Sequence, residues 1–154
     1  MPPTLRDEIR QRRPFETATQ EAHLNVVRTA AVLIEGMEQV LRPAGVSLAQ
    51  YNVLRILRGA GEGLCRNELR DRLLTRMPDV TRLLDRMEEA GLVRRAREDD
   101  DRRLVRTHLT AEGRRVVDAL DGEVAAEHQR RLGHLDAGEL ATLTALLEKV
   151  RHPA

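Results

Sequence analysis

The residues of this 154-residue chain best suited to chemistry are arginines set among carboxylates in two short runs. The first, DVTRLLDRMEE (79–89), carries Thr81, Arg82 and Arg86; the second, EDDDRR (98–103), carries Asp101, Arg102 and Arg103. A guanidinium can donate two hydrogen bonds to guanine O6 and N7 in a major groove, and it is drawn to the negative potential of a narrow minor groove. Lysine does neither as well, and Lys149 is the only lysine. Asn67 and Arg76 add a polar and a cationic group suited to phosphates near a groove edge.

Other chemistries find less support. No G-x-S-x-G, glycine-rich phosphate loop or informative Cys/His spacing occurs, and the carboxylates lie beside arginines that can neutralise them. No catalytic residue, cofactor or metal site is expected. The five histidines show no H-x-x-x-H or H-E-x-x-H spacing; a zinc-sensing site would have to gather its ligands from separate helices. The single cysteine, Cys65, excludes an intramolecular disulfide framework. It begins CRNE, the place of a Ser-x-x-Glu capping box, and a thiol beside an arginine at a helix N-terminus is open to oxidation. The plainer reading is a small, half-buried side chain.

These residues need elements to hold them. Val80, Leu83, Leu84 and Met87 recur at i, i+3, i+4 and i+7, which predicts a helix with one stripe facing a core. Pro78 suits its first turn and Gly91 its left-handed stop. On the opposite face Thr81 and Arg82 occupy the N-terminal half, while Asp85, Glu88 and Glu89 crowd the other. A helix meeting DNA here must enter by its N-terminal end, which also carries the positive end of the macrodipole. Asp79 complements that dipole. After Gly91, Leu92-Val93 and Leu104–Leu109 predict a two-stranded hairpin with 98–103 as its charged tip.

Upstream, Ser47 and Gln50 form a capping box for a helix burying Tyr51, Leu54 and Leu57, ended by glycines 59, 61 and 63. CRNELRDRLL predicts a third short helix, with Leu69, Leu73 and Leu74 buried. Two short helices joined by a few residues have helix-turn-helix form.

Apolar-striped helices flank this region. One spans Glu16–Leu41 through Ala22, Val26, Ala30, Leu33, Met37 and Val40. Another starts at Thr110 and carries Val117, Leu120, Val124 and His128; a third, capped by Asp136 and Glu139, carries Leu140, Leu143, Leu146, Leu147 and Val150. Residues 1–14 are a short helix or arm. The expected architecture is mainly α with a small β-hairpin wing: one 1–154 chain, dimerisation helices at 16–42 and 111–152, and a winged helix-turn-helix at 47–110. With 41% hydrophobic but 1% aromatic residues, the core must be aliphatic, which favours helices. A net charge of +1 gives no general polyanion signal, so any nucleic-acid role must come from local clustering. No apolar run reaches the ~18 residues of a membrane span, and a soluble, cytoplasmic protein is expected.

The stretch VTRLLDRMEEAGLVRRAREDDDRRLVRTHLTAEGR resembles the MarR family of bacterial transcriptional regulators, with the match covering roughly residues 20–150. It shares a recognition helix (Val80–Met87), a Gly91-Leu92-Val93 stop, an Asp101-Arg102-Arg103 wing and a Leu109-Thr110-x-x-Gly113 helix start. The resemblance implies a homodimeric regulator, a repressor, binding a near-palindromic DNA operator through two winged helices. It implies release by a small phenolic or amphipathic effector. It places the major-groove arginine at Arg82 and the minor-groove arginine at Arg103, with Asp101 bracing the wing. The effector would sit near His23, Val27, Tyr51 and the helix after Thr110. The alternatives are a repressor sensing oxidation through Cys65, and a winged-helix protein-interaction module without DNA binding.

Overall fold

A computed structural model describes residues 3–97 and 104–152. The chain divides into two compact units, 1–36 and 37–154. In the first, Thr4 and Asp7 form a capping box that starts α1 (Leu5–Glu8), and Leu5 is buried while Ile9 is not. The arm is therefore ordered by a local signal, with Arg28 pairing Glu8 at 3.2 Å. The long helix α2 (Ala18–Leu41) begins where the Thr17 hydroxyl accepts the Gln20 N–H at 3.1 Å. Its last residues, from Met37, belong to the second unit.

The second unit is built around α3 (Leu48–Ala60). Ser47 and Gln50 exchange hydrogen bonds of 2.9 and 3.2 Å at its start, and Gly61 closes it at φ +71°. Tyr51, Leu54 and Leu57 are buried as expected, and so are Val53 and Ile56, so α3 runs through the core. There follow β1 (Leu64–Cys65), α4 (Arg66–Arg72), α5 (Val80–Glu89), β2 (Val93–Arg97), β3 (Val105–Leu109), α6 (Ala111–Leu132) and α7 (Ala137–Arg151). The fold is mainly helical with a small sheet, as expected, but the sheet has three antiparallel strands in the order β1-β3-β2. Leu64 pairs with Thr107 and Cys65 with Arg106. A two-residue strand leaves no alternation to detect in sequence.

Several positions differ from expectation. Helix α4 stops at Arg72 and Leu73 turns extended, so Leu74 loses its helical relation to Leu69 and is 75% exposed. The helix expected to begin with Pro78 begins at Val80 instead. Asp79 is its N-cap, its carboxylate accepting the Arg82 N–H at 2.9 Å, a more specific role than complementing the dipole. On α6, Val117, Leu120 and Val124 are buried, but Glu127 (3% exposed) continues the buried face in place of His128, which is exposed. At 100° per residue positions 127 and 128 lie about equally far from the stripe. What permits Glu127 is that Arg131, and then Arg130, pair with its carboxylate, holding its pKa below the ordinary value.

The stop between α5 and β2 has the Schellman form: Leu92 N–H bonds Met87 C=O at 3.0 Å and Gly91 N–H bonds Glu88 C=O at 2.9 Å, with Gly91 at φ +73°. Thr110 then ties α6 to this corner. Its hydroxyl lies 2.7 Å from Gly91 O and accepts the Gly113 N–H at 2.9 Å. The Gly113 Cα packs so closely on the Leu92 carbonyl that a Cβ would overlap it.

Candidate nucleic-acid interface

Helix α5 turns Val80, Leu83, Leu84 and Met87 into the core and leaves Thr81, Arg82, Arg86 and Glu89 exposed. The acidic half of this helix is neutralised from the sheet. The Arg95 guanidinium lies 2.7 Å from Asp85 Oδ1 and 2.7 Å from Glu88 Oε2, and the Arg95 backbone N–H donates to Glu88 Oε1 at 2.7 Å. That backbone bond, then the guanidinium, holds the Glu88 carboxyl below its usual range, and Glu88 in turn raises the Arg95 pKa.

Arg95 is thereby committed to the acidic half of α5, and Asp85 is taken by this strand residue rather than by a cation of its own helix. Among the described residues the side chains of Arg76, Arg82 and Arg86 have no ion-pair or hydrogen-bond partner, and all three are exposed.

Asn67 lies exposed at the start of α4. Its neighbour Arg66, which the sequence marks only by its place beside Cys65, donates from Nη1 to Thr81 Oγ1 at 3.3 Å and so joins the N-terminal ends of α4 and α5. Its position at the first turn of a short helix was the available signal. Asp101, Arg102 and Arg103 lie outside the described residues.

Cys65 is the N-cap of α4 in the expected capping box: its side chain faces the Glu68 backbone N–H, and the Glu68 carboxylate accepts the Cys65 N–H at 2.8 Å. Cys65 is half-buried. On the opposite sheet neighbour, Arg106 donates to Gly63 O at 2.9 Å and lies 3.4 Å from Glu68.

The residues expected near an effector are placed as follows. His23 and Val27 are exposed on α2 in the first unit. Tyr51 is buried in the second, and burial, then Asp121, raises its pKa. A cavity of about 670 Å³ in the second unit is lined by other residues, among them Val40, Pro43, Arg115, Val116, Leu120 and Arg130. No helix among the described residues is long and apolar enough to cross a membrane.

Comparison with known proteins agrees with this geometry. The MarR family pattern matches residues 44–104, from the turn before α3 to the residue before β3. The multiple antibiotic resistance protein MarR of Escherichia coli is 33% identical over 115 residues, 74% of this chain and 79% of that protein. A MarR transcription factor from Planctomyces limnophilus, known from its crystal structure, is 40% identical with a TM-score of 0.67, over 88% of this chain and 98% of that one. A mutant E. coli MarR crystallised with operator DNA is 29% identical with a TM-score of 0.76, over 83% and 91% of the two chains. With its Asp79-capped α5, Gly91 stop and three-stranded sheet, the chain belongs to the MarR family of transcriptional regulators.

Proposed function

We propose that this regulator is a repressor that binds a near-palindromic operator as a homodimer and is released by a small amphipathic or phenolic molecule. The observation that carries the DNA contact is the division of charge on α5. Arg95 absorbs Asp85 and Glu88, while Arg82 and Arg86 stay exposed and unpaired beside Thr81. In this reading Arg82 and Thr81 enter the major groove. Arg76, Arg86 and Asn67 take phosphates, and Arg102 and Arg103, braced by Asp101, reach the minor groove.

The apolar surface of α7 supports the dimer. Leu146 and Val150 are 57% and 66% exposed, and Leu143 lies on the same helix. A second copy of the chain is the occupant that suits it, since two winged helices then address half-sites about 10–10.5 bp apart. For release, the 670 Å³ cavity beside α6 mixes apolar residues (Val40, Pro43, Val116 and Leu120) with Arg115, Glu123 and Arg130, a lining suited to an amphipathic molecule. Footprinting over the DNA upstream of the protein's own gene tests the reading: two protected patches one helical turn apart are expected. Protection of a single patch, or of none at micromolar protein, contradicts it.

A further inference from the structure

Between α4, α5 and the sheet lies a second cavity, of about 420 Å³, lined among others by Cys65, Arg66, Thr81, Leu84, Val105 and Thr107. Its volume falls in the roughly 300–1,000 Å³ range of small-molecule sites. Thr107 is only 2% exposed, yet its hydroxyl has no hydrogen-bond partner among the described residues. No unpartnered side-chain oxygen among them is sealed from solvent, so this hydroxyl reaches the cavity it lines. A buried hydroxyl is ordinarily satisfied, and a free one facing a cavity offers a donor to a guest. The cavity thus combines a thiol nucleophile, two hydrogen-bond donors (Thr107 and Arg66) and an apolar wall (Leu84 and Val105).

We infer that this cavity receives α,β-unsaturated carbonyl compounds and that the Cys65 thiol adds to their electrophilic β-carbon, weakening DNA binding by the face the cavity shares. The addition is independent of the DNA-binding reading; its consequence for the operator rests on that reading.

The step balances without any further reagent. The thiol proton passes to water or to the Glu68 carboxylate, which already accepts the Cys65 N–H. The sulfur–carbon bond forms as the carbon–carbon π bond breaks, and its electron pair moves onto the carbonyl oxygen. Thr107 donates to that oxygen, and the proton returns at the α-carbon. Nothing leaves, so the product weighs the sum of chain and guest. Once attached, the guest competes for the Arg66 guanidinium that now bonds Thr81 at 3.3 Å, and it fills space beside the N-terminus of α5.

The test uses the full chain with cyclohex-2-en-1-one as the probe and iodoacetamide, which alkylates thiols by substitution, as the reference. Because Cys65 is the only cysteine, intact mass reads its modification directly. The expected result is one probe added to the wild type and none to Cys65→Ser. Thr107→Val, nearly isosteric, slows the enone about two- to tenfold, the worth of one neutral hydrogen bond. It leaves the iodoacetamide rate unchanged, and Thr107→Ser restores the enone rate. The modified chain binds operator at least about tenfold more weakly. If Thr107→Val slows neither reagent or both alike, the cavity does not direct the addition and the inference is overturned. If the adduct forms but operator affinity is unchanged, the regulatory consequence is overturned. A chain that binds no operator even before modification sinks the DNA-binding reading instead, while the rate comparison still judges the cavity.

Discussion

Arg58 on α3 clasps Asp121 on α6 through two parallel hydrogen bonds, Nη1 to Oδ2 and Nη2 to Oδ1, each 2.8 Å, and Nη1 also reaches Asp118 at 2.7 Å. This bidentate pair ties the central helix of the winged domain to the long helix that follows the wing. The hydrogen bond to Arg58 is the main reason that the Asp121 carboxyl is held below its ordinary pKa. A depressed carboxylate stabilises the fold fully above its unfolded value of about 3.9, and that contribution is lost as pH falls through the lower folded value. The thermal midpoint should therefore fall on acidification below about pH 4, and Asp121→Asn should remove part of that dependence. Identical acid limbs in the two proteins would mean that the clasp contributes nothing to stability.

The clasp between Arg95 and the acidic half of α5 makes a different prediction. Arg95→Ala leaves Asp85 and Glu88 uncompensated on the helix assigned to DNA. Operator affinity should drop about tenfold at low salt, although Arg95 itself touches no DNA in this account, and the loss should shrink as salt screens the carboxylates. Titration by fluorescence anisotropy at two ionic strengths checks this, and a loss that grows with salt would contradict it.

Gly113 makes a prediction about packing. Its missing Cβ lets the first turn of α6 rest on the Leu92 carbonyl, a backbone atom that cannot rotate away. Gly113→Ala should destabilise the chain by about 1–3 kcal/mol despite alanine's better helix propensity. Urea unfolding measures it, and an unchanged or raised midpoint counts against the close packing.

The outer helices predict a change of assembly. Leu146→Asp places a charge in the exposed apolar surface of α7 and should convert the proposed dimer to monomer at micromolar concentration while leaving the helical circular dichroism of the folded chain in place. Sedimentation velocity distinguishes the two; a dimer that survives the substitution moves the interface elsewhere.

Local signals carried much of this fold in the sequence itself. The Ser47–Gln50 and Asp136–Glu139 capping boxes, the left-handed stop at Gly91 and the stripe of α5 all depend on residues within a few positions of one another, and each is found where its spacing places it. What escaped depends on distant partners. Strand β1 exists because Leu64 meets Thr107, 43 residues along, and its two residues are too few to alternate. Asp85 has cationic neighbours on its own helix, and only the fold decides that Arg95 takes it. The helical period places Leu74 in the core, but Leu73 leaves the helix before that period reaches it. The bond from Arg66 to Thr81 spans two helices, so no local spacing signals it.

The exposed, unpaired Arg82 is assigned to a base, and a single comparison decides that assignment. Anisotropy titrations of wild type and Arg82→Ala are run against the footprinted operator and a scrambled duplex of equal length and charge. A loss of about 1–3 kcal/mol is expected on the operator and little on the scrambled duplex. An equal loss on both would assign Arg82 to the phosphates, and no loss on either would remove α5 from the DNA.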